Sequence, residues 1–201
     1  VYGDPEVHTQ TEDYRGHVSP VGDRSCYDEG KRAGEALCAA YARQYGVDVR
    51  VARPFNVYGP FMSRGDGRVV PAFLDALLDG TPIKLHGLGH QTRSFCFVSD
   101  MIAALRALMD VPRETLACLP ETRLPVVNLG RPEETTIAEL ARLMCEMAER
   151  PGHPIVHAQN PVGGDPSRRR PDISRARAML RWEPKVTLAE GLRETWGWWR
   201  A

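Results

Sequence analysis

Tyr27 and Lys31 are the residues whose types and spacing most directly suggest chemistry, because they lie four positions apart in a segment with helical character. At that spacing two side chains share one face of a helix, one turn apart. A tyrosine with a reference pKa of about 10 is a poor base at neutral pH, and a neighbouring ammonium favours its phenolate. A phenolate can take the proton of a substrate hydroxyl while hydride leaves the same carbon. The alternative for this spacing alone is an ordinary pair on a helix surface.

Three arginines form a second candidate group, since Arg68, Arg93 and Arg169 occur in three separate segments. The planar guanidinium donates two parallel hydrogen bonds to phosphate or carboxylate oxygens. Each arginine considered alone has a simpler interpretation as a solvated surface residue. Together they are candidates for binding an anionic ligand.

Asn56 is the third candidate, at the end of a strand predicted near Val51. The ends of strands in open α/β sheets line ligand crevices, which favours a binding role for Asn56. The alternative is a turn asparagine that ends the strand.

A metal site is not expected. His86 and His90 are separated by glycines typical of a turn, and His153 and His157 flank a predicted strand. No cysteine joins either pair at the spacing of zinc ligands.

The elements that must position these residues alternate along the chain between strands and helices, which predicts an α/β fold with parallel pairing. Ala33, Leu37, Ala40 and Tyr41 predict the apolar stripe of a helix over 26–45. Strands are expected near 47–54, 83–85, 93–98, 126–129 and 155–156. Further helices are expected over 70–79, from Asp100 as an N-cap, over 136–149, from 172 or 174 to 182, and from 187 onward. Capping boxes at Thr136/Glu139 and Thr187/Glu190 support two of these helices.

Composition excludes some classes of function. Basic and acidic residues balance at 26 each among 201 residues, so no net charge favours nucleic acid or an anionic membrane. The five cysteines (Cys26, Cys38, Cys96, Cys118 and Cys145) form no C-x-x-C motif, which is typical of reduced thiols in the cytoplasm. No apolar run approaches the length of a membrane span.

Longer stretches resemble one family of enzymes. They are VYGDP (1–5), RSCYDEGKR (24–32), VRVARPFNVYGP (49–60), DGRVV (66–70), QTRSFCFV (91–98), NLG (128–130), DPSRRRPDI (165–173) and WEP (182–184). In this order they resemble the UDP-glucuronate decarboxylases, or UDP-xylose synthases. These belong to the extended short-chain dehydrogenase/reductase class, the NAD-dependent epimerase/dehydratases. The resemblance covers nearly all of the chain.

The resemblance implies NAD-dependent decarboxylation of UDP-glucuronate to UDP-xylose through a 4-keto intermediate. It implies that Tyr27 is the base, and that Lys31 assists Tyr27 and binds the nicotinamide ribose. It further implies that Asn56, Arg68 and Arg93 bind the nucleotide sugar and that Arg169 reaches the sugar carboxylate or assists protonation. Arg168 and Arg170 are interpreted as solvated neighbours. A homodimer is also implied.

Three positions differ from the family pattern. Val57 replaces a usual threonine, Phe61 replaces a common basic residue, and Ala72 replaces an asparagine that often contacts substrate. These changes affect substrate contacts and leave Tyr27 and Lys31 intact. A nucleotide-sugar 4,6-dehydratase or 4-epimerase is therefore one alternative.

The chain has no initiator methionine and no G-x-G-x-x-G after a predicted strand. We therefore expect the C-terminal half of a Rossmann-type parallel sheet plus a smaller α/β substrate-binding domain. Residues 1–60 would complete the NAD-binding domain, 61–92 would bind substrate, 93–130 would return to the sheet, and 131–201 would form the second domain. The isolated fragment is expected to be inactive, so another alternative is a chain that only binds a nucleotide sugar or a partner subunit. A lost N-terminal membrane anchor stays compatible with the sequence.

Overall fold

The alternation of strands and helices is present in the structure, a computed structural model that describes residues 1–116, 124–159 and 168–201. Cys118 and residues 165–167 of the DPSRRRPDI run lie outside the described residues. The helices are α1 (Ser25–Tyr45), α2 (Val69–Asp79), α3 (Val98–Asp110), α4 (Arg113–Leu116), α5 (Ile137–Met147), α6 (Ser174–Leu180) and α7 (Leu188–Arg200). The strands are β1 (Val51–Pro54), β2 (Val57–Tyr58), β3 (Ile83–His86), β4 (Thr92–Ser94), β5 (Cys96–Phe97), β6 (Val126–Leu129), β7 (Glu134–Thr136), β8 (Ile155–Ala158) and β9 (Arg168–Arg169).

Parallel pairing dominates the strands. β1 pairs with β6, β2 with β5, and β3 with β8, each in parallel. β4 pairs in parallel with β9 and antiparallel with β7. Parallel partners need a crossover connection, and helices fill that role here. The predicted α/β class and its parallel pairing are confirmed.

Two hydrophobic clusters hold the elements together. In the first, α2, α5 and α7 pack around β3, and in the second, α3 and α6 pack against β6. Strand β5 contributes to both, with Phe97 in the first cluster and Cys96 in the second. Adjacent strand residues face opposite sides, which explains this division. The predicted domain boundaries stay predictions.

The two capping boxes are present as predicted, whereas the role predicted for Asp100 is wrong. Helix α3 begins at Val98, with Phe97 as its N-cap. The Asp100 carboxylate is buried and accepts hydrogen bonds from the backbone N–H groups of Lys185 (3.0 Å) and Val186 (2.9 Å). Asp100 therefore satisfies the backbone of a distant segment. The predicted strand 93–98 is also wrong as a single element, because β4 and β5 pair with different strands.

The apolar stripe predicted for α1 is not buried. Leu37 and Tyr41 are each more than half exposed, and Asp28 is the one α1 residue that is fully buried. Hydrophobic packing against the other described elements therefore does little to fix this helix.

The long N-terminal loop is fixed by buried polar groups. The backbone N–H of Gln10 donates to the Arg170 carbonyl, and the backbone N–H of Asp172 donates to the Gln10 carbonyl. The Glu12 carboxylate accepts from the backbone N–H of Asn128 at 2.8 Å. Burial raises the pKa of Glu12, although this hydrogen bond and Arg175 oppose the rise. The loop thereby lies against β6 and the start of α6.

Candidate active site

A cavity of about 1050 Å³ opens between α1, the end of β1, the start of α2 and strand β4. Its lining includes all six residues predicted for the site: Tyr27, Lys31, Asn56, Arg68, Arg93 and Arg169. These residues come from segments far apart in sequence. Ligand sites are commonly concave surfaces with a few convergent polar groups, so the cavity is the candidate active site. The individual roles of the six residues stay predictions.

Tyr27 and Lys31 lie on one face of α1, one turn apart. The Lys31 ammonium nitrogen is 5.5 Å from the centre of the Tyr27 ring, and the Arg24 guanidinium carbon is 5.6 Å from it. The Tyr27 side chain is 55% exposed, on the open side of the cavity. A phenol at the open side of a cavity, with two cations beside it, is placed to act as a general base toward a ligand there.

Arg93 and Arg169 are neighbours across the parallel β4–β9 pair, in which they occupy the same register position. Arg93 is buried and donates through Nη1 to the Thr92 carbonyl at 2.8 Å. The Arg169 carbonyl accepts from the Ser94 hydroxyl at 3.1 Å. The pairing brings two guanidinium groups to one wall of the cavity, where they favour an anionic ligand.

The residues that precede these arginines face the other side of the same strands. Glu134 accepts from the Thr92 hydroxyl (2.5 Å) and from Arg168 (3.3 Å), and His8 Nε2 lies 3.2 Å from its carboxylate. Burial alone would raise the pKa of Glu134, but these partners more than offset it and hold the pKa below its ordinary value. Arg168 is thus an exposed residue paired to Glu134, outside the cavity.

Asn56 follows β1 with a positive φ of 33°, and its side-chain amide donates to the Ser94 carbonyl at 2.8 Å. The Cys96 N–H donates to the Asn56 carbonyl at 3.1 Å. Asn56 therefore stabilises the turn between β1 and β2, as expected for a turn asparagine at the end of a strand. It also lines the cavity. Burial raises the pKa of the Cys96 thiol to about 12, so this thiol stays protonated.

Arg68 stands at the mouth of the cavity just before α2. Its guanidinium forms two hydrogen bonds with the Asp66 carboxylate, the Nη2 contact at 2.6 Å, and the side chain is 60% exposed. A ligand phosphate would have to compete with Asp66 or use the remaining donors of this guanidinium.

Comparison with known proteins identifies the family of this site. The profile described as "NAD dependent epimerase/dehydratase family" matches residues 1–121. The chain belongs to this family. It is 47% identical over 195 residues to UDP-glucuronic acid decarboxylase 1 of Xenopus tropicalis, covering 97% of this chain and 44% of that protein. It is 47% identical over 192 residues to UDP-glucuronic acid decarboxylase 6 of Arabidopsis thaliana, covering 96% of this chain and 52% of that protein. The chain spans about half the length of the curated relatives it matches.

Solved structures of the family share the fold. UDP-glucose 4-epimerase from Thermotoga maritima, solved with UDP-glucose, matches with a TM-score of 0.81 and 31% identity, covering 99% of this chain and 60% of that one. UDP-glucuronic acid 4-epimerase from Bacillus cereus, solved with UDP-glucuronic acid and NAD, matches with a TM-score of 0.84 and 24% identity, covering 100% and 58%. At that identity the second likeness concerns the fold alone.

Of the three positions at which this chain differs from the usual residues of the family, Val57 and Ala72 line the cavity and Phe61 does not. Val57 begins β2 and pairs with Cys96, and Ala72 on α2 lines the cavity. Phe61 is 85% exposed with a φ of 68°, and its ring centre is 5.3 Å from that of Trp198. Where a basic residue is common, this chain therefore has an aromatic contact with α7.

The interpretation of Arg170 as a solvated neighbour is wrong. Arg170 is half-buried, and its Nε is enclosed without a hydrogen-bond partner. Its backbone N–H donates to the Gln10 side chain at 2.8 Å, which ties this residue to the N-terminal loop. The alternation of strand residues explains why Arg168 faces solvent, but Arg170 lies past the end of β9, where that alternation no longer applies.

Sequence reasoning missed a polar network whose members Tyr2, Glu35 and Arg53 line the cavity. Arg53 on β1 donates two hydrogen bonds to Glu35 on α1, at 2.8 and 2.7 Å, and one to the Tyr2 hydroxyl at 2.7 Å. Tyr2 in turn donates to Asn128 on β6 at 2.7 Å. Burial raises the pKa of Tyr2, which keeps this hydroxyl a donor. The signal available in the sequence was the position of Glu35, four residues after Lys31.

Asp28 is a second missed residue. It follows Tyr27 directly, is only 9% exposed, and lines the cavity. Its helix-start position explains why a carboxylate is tolerated there, since the first turn of a helix favours negative charge.

The described ranges contain no group of three or more His, Cys, Asp or Glu side chains placed to hold a metal ion. In the same part of the chain, no helix has the length and apolar character needed to cross a bilayer.

Proposed function

We propose that the protein carrying this chain decarboxylates UDP-glucuronate to UDP-xylose with the help of NAD. The observation that carries the proposal is the placement of Tyr27, Lys31 and Arg169 around one cavity, in a chain 46–48% identical to UDP-glucuronic acid decarboxylases. The first two residues suit oxidation of a hydroxyl. The third suits a substrate with a carboxylate.

Substrate charge supports a carboxylate-bearing nucleotide sugar, and the 46–48% identity to UDP-glucuronic acid decarboxylases favours loss of that carboxylate. UDP-glucuronate carries one negative charge more than UDP-glucose, on the sugar carboxylate. Arg93 and Arg169, adjacent across β4 and β9, offer two guanidinium groups for that carboxylate and the diphosphate. Arg68 at the cavity mouth would add a third contact to phosphate.

The residues of this chain would move the first proton. The Tyr27 phenolate would remove the hydroxyl proton at C4, and the Lys31 ammonium would stabilise the phenolate. The ketone at C4 lies β to the carboxylate and can accept the electron pair released as carbon dioxide leaves. Arg169 would hold the carboxylate before that step or assist protonation after it.

NAD fits the donor groups at one side of the cavity. The Tyr27 hydroxyl and the Lys31 ammonium are donors of the kind that ribose hydroxyls accept, and both line the cavity. When bound, NAD would supply the acceptor and later the donor of a hydride. The sequence contains no G-x-G-x-x-G, the motif with which dinucleotide-binding folds bind the pyrophosphate.

A 4-epimerase is the second candidate, because the fold matches the Thermotoga maritima epimerase with a TM-score of 0.81 at 31% identity. An epimerase would use Tyr27 and Lys31 in the same way. Its product would retain the sugar carboxylate of UDP-glucuronate, or its substrate would be a sugar without a carboxylate. A 4,6-dehydratase would likewise need no carboxylate contact. A chain that binds a nucleotide sugar without turnover is the remaining alternative.

Variants of Arg169 test the proposal in the protein at its full natural length. Arg169→Ala should slow carbon dioxide release from UDP-glucuronate by roughly two orders of magnitude, as loss of a charged donor does at such sites. Arg169→Lys should restore part of the rate, since an ammonium supplies charge without the fork. Arg168→Ala is the matched control on the same strand and should have a small effect. A rate for Arg169→Ala equal to that of the control would contradict the proposed role.

We also propose a cytoplasmic location, which the reduced thiols support. The homodimer implied by the resemblance stays a prediction, which light scattering of the purified protein would test.

A further inference from the structure

Helix α1 carries Tyr27 and Lys31, yet the described residues of this chain bury little of its apolar surface. Asp28 is its one fully buried residue, and Leu37, Tyr41 and Tyr45 are more than half exposed. α1 also makes no extensive contact with another described helix or strand. Polar contacts must therefore account for much of its position in this chain.

The strongest of these contacts joins Glu35 to Arg53. The guanidinium donates from Nε to one carboxylate oxygen at 2.8 Å and from Nη2 to the other at 2.7 Å. The Glu35 side chain is only 20% exposed and the Arg53 side chain 12%, so water competes weakly for the hydrogen bonds of this pair. Because this charge-assisted contact is bidentate, it fixes both the distance and the relative orientation of the guanidinium and the carboxylate.

Glu35 lies on the same face of α1 as the proposed base. Tyr27, Lys31 and Glu35 follow each other at intervals of four residues, and all three line the cavity. Arg32 gives α1 further polar contacts, since it donates to the carbonyls of Arg15 (2.7 Å) and Val1 (3.4 Å). Those contacts lie nearer the surface.

Arg53 is itself held on its other sides. Its Nη1 donates to the Tyr2 hydroxyl at 2.7 Å and to the Glu12 carbonyl at 3.0 Å. Its backbone lies in β1, opposite Asn128 of β6. Arg53 is therefore a fixed point of the sheet to which Glu35 attaches the helix.

We propose that the Glu35–Arg53 pair positions α1, and through it Tyr27 and Lys31, over the cavity. Arg53 and Glu35 act as positioning residues, since their contacts run to protein groups. The effect on α1 is independent of the reaction, whereas the effect on turnover rests on the proposed function.

Hydrogen exchange followed by mass spectrometry tests the positioning directly in the protein at its full natural length. In Glu35→Gln, which keeps the shape but removes the charge, amides of α1 should exchange roughly tenfold faster. Amides of α5 and α7 should exchange as in the wild type. Glu29→Gln is the matched control, because Glu29 pairs on the same helix with Arg32 at 3.5 Å and is more exposed. It should leave α1 exchange nearly unchanged.

Kinetics provide the second readout. Glu35→Gln should lower kcat by about tenfold or more. KM for the nucleotide sugar should change little, because Arg68, Arg93 and Arg169, which are proposed to bind it, are unchanged. Arg53→Lys should show the same division of effects, since an ammonium cannot form both bonds. Unchanged α1 exchange, or equally faster exchange throughout the protein, would overturn the proposal. If the wild-type protein fails to decarboxylate UDP-glucuronate but Glu35→Gln still makes α1 exchange faster, only the proposed function is contradicted.

Discussion

Tyr27 stands at the open side of the cavity with cations on two sides of its ring, from Lys31 and Arg24. Its hydroxyl is accessible to a ligand because the side chain is half exposed. A phenol in this setting contributes to a reaction through the proton that it takes, which matters in the transition state. In the proposed mechanism, ground-state binding of the nucleotide sugar rests on other groups.

Tyr27→Phe should therefore leave less than about a tenth of the wild-type turnover while affinity for the nucleotide sugar stays nearly the same. Steady-state kinetics and titration calorimetry measure the two quantities. Tyr41→Phe is the control, since Tyr41 lies on the same helix but does not line the cavity. If the Tyr27 variant keeps more than that fraction of activity, Tyr27 is not the base.

Sequence patterns reached some of these residues and not others. The four-residue spacing of Tyr27 and Lys31 is local, so it is visible in the chain. The distinction between Arg168 and Arg169 depends on the pairing of β9 with β4, two strands far apart in sequence. Glu35 and Arg53 belong to different elements, so no local pattern connects them. Arg169 was a candidate for anion binding from its residue type, but only the resemblance to a family assigned it to the sugar carboxylate.

At the scale of elements, local rules worked where the relevant contacts are local. Both capping boxes formed, because Thr136 with Glu139 and Thr187 with Glu190 satisfy backbone groups within one turn. Asp100 looked like a cap but serves the backbone before α7 instead. Tertiary contacts decided its role, and also decided which face of α1 is exposed.

Helix α7 offers a sharp test of packing between elements. A Cβ at Gly191 would lie 2.3 Å from the Tyr58 hydroxyl oxygen and 2.7 Å from Phe97, so the helix could not keep its close approach to β2 and β5. Gly191→Ala should lower the free energy of unfolding by about 1–3 kcal/mol. Gly197→Ala on the same helix meets no atom within 4 Å, and should raise stability by up to about 1 kcal/mol.

Urea unfolding of the two variants measures the difference. Because both changes add one methyl group to the same helix, helix propensity acts equally on them. Equal shifts in the unfolding midpoint would contradict the close packing of α7 against Tyr58.

At the scale of the whole molecule, two hydrophobic clusters pack α2, α3, α5, α6 and α7 against the strands, whereas polar contacts hold α1. Residues of α1, β4, β9 and the start of α2 then line one cavity. The α/β class followed from the alternation of elements, which is a property of the sequence. The cavity did not follow from it, because its walls depend on pairings between β1 and β6 and between β4 and β9. The cationic lining that would suit the proposed anionic nucleotide sugar forms only once these segments meet.

The most direct test of the central claim offers UDP-glucuronate and UDP-glucose side by side, with NAD, to the protein at its full natural length. Products are identified by mass spectrometry and carbon dioxide is measured. We expect carbon dioxide and a UDP-pentose from UDP-glucuronate, with UDP-glucose unchanged, because Arg169 and Arg93 suit a carboxylate-bearing sugar. Turnover of UDP-glucose without turnover of UDP-glucuronate, or an isomer of UDP-glucuronate with unchanged mass, would contradict the decarboxylase account.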